Sequence, residues 1–399
     1  MSVVRGNPVL IQSRFGSTGN FEFAIPSSKP RGIVFLWRDN DAAGMPWSAP
    51  TTFGQNAERY DALTMIQSNF GSPGNLEMIS RNRNNLNFFW RDSQWNGPIQ
   101  IASGADRGNP VLIQSRFGTK GNFELVYPGN TGINFMWRNN DAVGMPWSAP
   151  TTFGQNMGIV EALTMIQSNF GNPGNLELIA RTGDKLNFFW RDSQWNGPIQ
   201  IASGAGGGNP VLIQSRFGTR GNFELVYPAA NGGINFMWRN NDAVGMPWSA
   251  PTTFGQNAGH IIALTMIQSN FGNPGNLELI ALNSTGHLNF FWRDSGPNFA
   301  WNGPFRMVIG SAALTAVQTQ AGRFIRVDGS QFSQNANVAI SYDIVVDGSP
   351  TTHQTGQHRD TTDANGSFSD DIKVNIGAVS GAQVNVVDEN TRMHADAFI

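Results

Sequence analysis

Six near-copies of one cassette occupy residues 6 to about 310 of this 399-residue chain, each carrying Ile-Gln-Ser, Gly-Asn and Trp-Arg in the same order. The Ile-Gln-Ser tripeptides begin at Ile11, Ile66, Ile113, Ile166, Ile213 and Ile267, giving spacings of 55, 47, 53, 47 and 54 residues. Long and short cassettes therefore alternate. The long form reads GNPVLIQSRFGTKGNFELVYP…GINFMWRNNDAVGMPWSAPTTFGQN at 108–156 and recurs at 6–56 and 208–257. The short form reads ALTMIQSNFGNPGNLELIA…KLNFFWRDSQWNGPIQIASGA at 162–205, with partners at 62–105 and 263–310.

A period near 50 residues marks a solenoid, propeller or array, because one small unit cannot bury its apolar faces without stacking on neighbours. Four segments per cassette, Val111–Gln114, Phe123–Tyr127, Ile133–Trp137 and the stretch around Ala149–Phe153, are rich in β-branched or aromatic residues and bounded by Gly, Pro or Asn. No segment sustains a helical period. Gly118–Asn122 (GTKGN) and Gly171–Asn175 (GNPGN) suit hairpin loops. Four short strands per unit predict an all-β fold, a six-bladed β-propeller built from three tandem double-blade repeats over 1–310. The first cassette starts almost at Met1, which leaves Met307–Ile309 as the stretch available to latch the last blade.

The 28 Phe and 12 Trp supply a large core, and the formal net charge of −2, without any Lys or Arg cluster, argues against a nucleic-acid partner. Without cysteine there is neither a disulfide framework nor a thiolate metal site. The start, MSVVRGNPVL, lacks the apolar core of a secretory signal, which leaves the address open between cytoplasm with non-classical release and the extracellular space. No apolar run approaches the length of a membrane span, so no membrane insertion is expected.

Past residue 310 the Trp count drops to zero, and 312–399 holds 10 acidic and 5 basic residues against 18 and 21 before it. Strand-like alternation at Phe324–Val327, Val338–Ser341, Ile344–Val346, Ile372–Ile376 and Val384–Val387, with turn clusters at Asp347–Pro350 and Asp363–Gly366, predicts a small antiparallel β-sandwich over 311–399. The stretch Thr361–Ile376 (TTDANGSFSDDIKVNI) resembles bacterial immunoglobulin-like modules.

All 12 Trp lie at or just after the Trp-Arg dipeptides. Long cassettes give Trp37-Arg38 with Asp41 and Trp47, Trp137-Arg138 with Asp141 and Trp147, and Trp238-Arg239 with Asp242 and Trp248. Short cassettes give Trp90-Arg91-Asp92 with Trp95, Trp190-Arg191-Asp192 with Trp195, and Trp292-Arg293-Asp294 with Trp301. A flat aromatic face for the C–H patch of a pyranose, beside planar donors and carboxylate acceptors for its hydroxyls, is the chemistry sugar recognition needs. The Trp before each Arg is more often interblade core than ligand platform, so the loop tryptophans Trp47, Trp147 and Trp248, with Asp41, Asp141, Asp242, Arg38, Arg138 and Arg239, rank first as ligand contacts. The Arg of each Trp-Arg has an equally good structural reading as the cross-strand partner of the recurring Glu22, Glu77, Glu124, Glu177, Glu224 and Glu278. His260, His287, His353, His358 and His394 do not recur, and His353, His358 and Asp360 are a weak metal signal; no metal, cofactor or catalytic residue is expected. Six equivalent sites fit avidity better than an enzyme's asymmetric constellation.

Units of the form GN-F/L-E…F-W-R-D/N…W…P…FG resemble the bacterial β-propeller lectins typified by the Photorhabdus lectins, and more loosely tectonin-type propellers, across about 300 residues. The resemblance implies glycan partners held between adjacent blades, with fucose and related deoxy or O-methylated sugars as the class. Those lectins close seven blades and lack a C-terminal sandwich, whereas six cassettes and a tail stand here. The competing reading is a non-enzymatic scaffold whose Trp loops bind protein or mediate surface attachment.

Overall fold

The structure, a computed structural model, describes residues 7–28, 31–42, 45, 47–55, 59–105, 107–294, 300–307, 313–319, 324–330, 332, 335–346, 353–363, 366–374, 379–389 and 394–398. Packing divides the chain into two compact units, Ser2–Phe35 with Thr51–Pro304, and Leu36–Pro50 with Phe305–Ile399.

Each cassette folds into one four-stranded antiparallel sheet whose strands follow chain order, the arrangement of a β-propeller. The long cassette at 108–156 forms Val111–Gln114, Phe123–Gly129, Gly132–Arg138 and Thr151–Phe153, and the short one after it forms Ala162–Gln167, Leu176–Thr182, Lys185–Arg191 and Trp195–Ala202. Phe123–Gly129 is buried at every position, so its sheet is covered on both faces and the strand needs no polar side. The outermost strand, Trp195–Ala202, is largely exposed and carries its polar residues there. Between the third and fourth sheets Val126, Ile133 and Phe135 meet Leu163, Met165, Leu176 and Phe189. Leu86 and Phe88 meet Leu112, Phe123, Leu125 and Tyr127 between the second and third.

One polar bond recurs around the sheets and accounts for the Gln of Ile-Gln-Ser. The Oε1 of Gln67, Gln114, Gln167, Gln214 and Gln268 accepts the backbone N–H of Arg14, Asn69, Arg116, Asn169 and Arg216 from the preceding sheet. Gln12 of the first sheet accepts from Asn270 of the sixth at 3.0 Å, and Leu10 N–H donates to Thr265 Oγ1 at 3.1 Å, which returns the chain of contacts to its start. The sixth sheet takes its four strands, Ile261–Gln268, Leu277–Asn283, Leu288–Arg293 and Trp301–Met307, from the sixth cassette alone. Side-chain bonds therefore join last sheet to first, and among the described residues no strand is exchanged between them. Of the expected latch Met307–Ile309, Met307 ends that outer strand and the other two positions lie outside the described residues.

The Arg that comes after Ile-Gln-Ser in long cassettes has a second task. Arg116 Nε donates to Pro173 O and its Nη2 to Ser168 O, so the guanidinium lies across the hairpin loop of the next sheet. Gly174, at φ +127°, leaves room for it: a Cβ there would stand 2.2 Å from Arg116 Nη2 and 2.3 Å from Ser168 O. Gly174→Ala is expected to cost roughly 1–3 kcal/mol from backbone strain and displaced hydrogen bonds. Gly183→Ala, at φ +59° with nothing within 4 Å of the new Cβ, should lose only about 1 kcal/mol. Urea midpoints of the two variants check the order; equal midpoints would contradict it.

The C-terminal part has strands Ala313–Thr319, Phe324–Ser330, Asn337–Val346, His353–Thr361, Phe368–Lys373, Val379–Asp388 and His394–Phe398. The first, second and fifth form one sheet; the fourth, third, sixth and seventh form another, in those orders. Ile325, Val327, Val338, Ile340, Ile344, Ile372, Val384 and Val386 are buried. The separate strands expected at Val338–Ser341 and Ile344–Val346 are one strand, because the inward alternation Val338, Ile340, Tyr342, Ile344 is unbroken. Residues 308–312 and the turn Asp347–Pro350 lie outside the described residues.

Candidate functional site

The register fixes which way each motif residue points. Glu124 pairs with Trp137 and Val126 with Phe135, so these four share the face toward the fourth sheet, whereas Arg138 pairs with Phe123 on the opposite face. The Arg of a Trp-Arg dipeptide consequently cannot pair across strands with its own cassette's Glu, since adjacent residues face opposite ways. It is attracted instead to the Glu of the preceding sheet: Arg91 to Glu22, Arg138 to Glu77, Arg191 to Glu124, Arg239 to Glu177 and Arg293 to Glu224. Each Glu accepts from the Ser of its own Ile-Gln-Ser, as in Ser115 Oγ to Glu124 Oε1 at 2.9 Å. Burial dominates these carboxyls, and Glu22, Glu77, Glu124, Glu177 and Glu224 are each pushed up to about 7 despite the Ser bond and the Arg.

At one junction where a long cassette precedes a short one, the interface opens to solvent. Between the third and fourth sheets a pocket of about 410 Å³ is lined by Phe135, Trp137, Ser148, Ala149, Thr151, Arg191, Gln194 and Trp195. Asp192 folds the intervening loop by accepting the N–H groups of Ser193 and Gln194, which holds its carboxyl below the ordinary aspartate range and returns the chain after three residues to Trp195. Trp195 pairs with Arg191, lies flat on Phe153 at 4.2 Å and stands edge-on to Phe135 at 5.7 Å. Arg191 Cζ sits 5.3 Å from the Phe135 ring centre, a cation–π contact, and its guanidinium has no hydrogen-bond acceptor among the described residues. Trp137, 36% exposed, lines the pocket from the third sheet. The indole Nε1 of Trp195 is buried without an acceptor, as are those of Trp95 and Trp301.

The packing recurs at the other long-to-short junctions. Arg91 lies over Phe35 at 5.4 Å with Trp95 flat on Phe53 at 4.2 Å. Arg293 lies over Phe236 at 4.8 Å with Trp301 flat on Phe254 at 4.3 Å. Residues 295–299 of that last loop lie outside the described residues.

Short-to-long junctions carry the same residue types and close over them. Arg138 and Arg239 are 7% and 6% exposed. The Arg138 guanidinium is 3.9 Å from the Phe123 ring centre and 5.2 Å from that of Phe88, and its Nε donates to Asn140 Oδ1 at 2.6 Å. Asp141 accepts from Thr119 N–H, Thr119 Oγ1 and Lys120 N–H at 2.7, 2.6 and 2.9 Å, which holds its carboxyl low and ties the loop to the hairpin of its own sheet. Asp242 does the same with Thr219 and Arg220.

Of the aspartates ranked first in the sequence, Asp141 and Asp242 are thus occupied within their own sheets, and two of the three arginines are buried. Among the loop tryptophans, Trp147 and Trp248 pack edge-on against Phe88 and Phe188, and Trp47 is 5% exposed. Arg38 Nε donates to Asn40 Oδ1, and Asp41 N–H donates to Asp39 Oδ1. Of the tryptophans before Arg, Trp90 and Trp190 lie on Phe88 and Phe188 as interblade packing, Trp292 tilts on Phe290, and Trp238 packs on the core of the last two sheets. Trp37 is half-buried, its N–H donating to Ser48 Oγ. Asp92 caps its loop like Asp192, and Asp294 accepts from Asn276 Nδ2 at 3.5 Å. What the structure brings together in the open is Trp137, Arg191 and Trp195, joined by Phe135, Ser148, Thr151 and Gln194, which the sequence did not single out. In the C-terminal part His358 pairs with Asp370 rather than joining Asp360 in a metal set.

No protein-family model and no curated protein matches the sequence. Solved structures do. A mutant of Aleuria aurantia lectin in complex with Fucα1-6GlcNAc is 16% identical with a TM-score of 0.56, covering 78% of this chain and 99% of that one. A fucose-specific lectin from Aleuria aurantia is 16% identical with a TM-score of 0.54, covering 76% and 96%. AofleA from Arthrobotrys oligospora is 11% identical with a TM-score of 0.53, covering 75% and 85%. At such identities the likeness is one of fold, a β-propeller.

Proposed function

We propose that this protein is a multivalent carbohydrate-binding lectin without enzymatic activity, taking fucose or related deoxy or O-methylated sugars in the pockets between long and short cassettes. One observation carries the reading: Trp137, Trp195 and Arg191 line one pocket open to solvent, and the donors of Arg191 have no acceptor among the described residues. A sugar presents what that pocket lacks, a C–H face for the indoles and adjacent hydroxyl or ring oxygens for the guanidinium fork. A methyl group in place of a hydroxymethyl suits the apolar side of Phe135 and Ala149. The lining has no carboxylate, and hydrolysis of a glycoside calls for two of them across the scissile bond. The fucose-containing ligand and the fucose specificity of the two Aleuria aurantia lectin structures are compatible with this class. Neutral hydrogen bonds contribute about 1 kcal/mol each, so each site is weak and repetition supplies retention.

We further propose that the six sheets make one closed six-bladed ring, supported by the cyclic Gln contacts, and that 311–399 is an immunoglobulin-like sandwich, supported by its order of seven strands in two sheets. The test of function is a glycan array probed with the whole protein. Retention on fucosylated or O-methylated glycans, competed by free L-fucose, is expected. Absence of retention on every sugar, at protein concentrations high enough for weak multivalent binding, refutes the reading.

A further inference from the structure

We infer that the short-to-long interfaces are closed copies of the same sugar site, with the amide of Asn140, and of Asn241, standing on the arginine where a ligand stands in the open ones; this rests on the lectin reading above. The two kinds of interface share a frame. Arg191 lies over Phe135 at 5.3 Å, while Arg138 lies over Phe88 at 5.2 Å and Arg239 over Phe188 at 5.4 Å, and the repeat makes these rings equivalent. Trp195 pairs with Arg191 as Trp147 bridges to Arg138, each edge-on to that ring. An attracting Glu stands behind every one of these arginines.

One difference lies on the C-terminal side of the Arg. Two positions on, the short cassettes at Arg91 and Arg191 carry Ser93 and Ser193, and the long ones carry Asn40, Asn140 and Asn241. Asn140 is fully buried: its Oδ1 accepts from Arg138 Nε at 2.6 Å and its Nδ2 donates to Gly121 O at 2.6 Å. Asn241 repeats both bonds with Arg239 and Gly221. Arg38 and Asn40 make the first of them. An amide oxygen on the guanidinium edge is the kind of acceptor a sugar hydroxyl would offer. The longer loop then covers it, tied down by Asp141 or Asp242. Alternation of cassettes therefore sets valency: open sites belong to long-to-short junctions, so fewer than six sugars bind per chain.

The test combines arginine labelling with site counting on the full chain. Phenylglyoxal, read by peptide mass spectrometry, should modify Arg91 and Arg191 at least about tenfold faster than Arg138 and Arg239, since the latter must wait for local opening. In Asn140→Ser with Asn241→Ser, which copies the open cassettes, Arg138 and Arg239 should approach the rate of Arg191, and L-fucose titration should rise by up to two sites above the parent. Equal labelling of all these arginines in the parent overturns the inference, and so do six sites in the parent or the same site count in both proteins. If the double variant fails to fold, the parent's labelling and site count still decide. Absence of fucose binding in a protein that shows the expected labelling refutes the choice of sugar and leaves the closure standing.

Discussion

Replacing Arg91, Arg191 and Arg293 together by Ala is expected to abolish retention on a glycan surface while leaving the propeller folded. Hydrogen bonds from a charged donor contribute about 1.5–3 kcal/mol each, so every open site should weaken by about 10- to 150-fold. Because multivalent retention compounds the loss at each site, the surface-bound half-life should fall further than any single affinity. Each of these arginines is partly exposed, so truncation leaves a water-filled notch and not a core cavity. Arg138→Ala with Arg239→Ala should behave in the opposite way. Those guanidiniums are buried against Phe123 and Phe223 at 3.9 Å, and removing one partner of a buried charged pair costs about 3–5 kcal/mol. Surface retention measured beside urea unfolding separates the two sets. A triple variant that binds like the parent, or buried-pair variants that lose binding without losing stability, would contradict the assignment.

Stability should fall as pH rises from about 4.5 to about 7, in the sense opposite to that of a protein held together by surface carboxylates. Glu22, Glu77, Glu124, Glu177 and Glu224 titrate near 7 in the folded chain because burial disfavours the charged form, against an ordinary value of 4.5. A group whose folded pKa is raised binds its proton more tightly when folded. Its contribution is complete below the unfolded value and is lost as pH passes the folded one. Each such shift corresponds to about 3 kcal/mol taken alone, and since the five occupy separate interfaces their losses partly add. The urea midpoint at pH 8 should therefore lie well below that at pH 5, and Glu177→Gln should flatten the slope. A midpoint that rises across this window would show that the arginines outweigh burial and keep these carboxylates charged throughout.

The repeated sheets were legible because each cassette supplies four β-rich segments at fixed spacing, with Gly and Asn at the hairpin joints. The C-terminal strands were less so. His353–Thr361 (HQTGQHRDT) forms a nine-residue strand without a single Ile, Val or Leu, since it takes its backbone partners from Asn337–Val346 and buries little of its own. The site was half legible. Trp137, Arg191 and Trp195, which line the open pocket, stood among the candidates, but Arg138, Arg239, Asp141 and Asp242, ranked above them, are buried or bonded within their own sheets, because a long polar loop bearing Trp, Asn and Asp looks exposed in sequence. Asn140 instead turns inward to Arg138, and the exposed Asp141 binds the GTKGN hairpin, an outcome that depends on side-chain bonds to a hairpin 19 to 22 residues earlier in the chain. The pairing of each Arg with the preceding sheet's Glu was hidden for a related reason: it depends on strand parity across an interface, which no local pattern encodes.

The proposed sugar site is the pocket lined by Trp137, Trp195 and Arg191. A crystal of the protein soaked with methyl α-L-fucoside is expected to show density for the sugar in that pocket, its hydroxyl or ring oxygen within hydrogen-bond distance of the Arg191 guanidinium and its apolar face on an indole, with Arg138 and Arg239 still covered by Asn140 and Asn241. Sugar bound at Arg138 or Arg239, or on another surface while the Arg191 pocket holds only water, would contradict it.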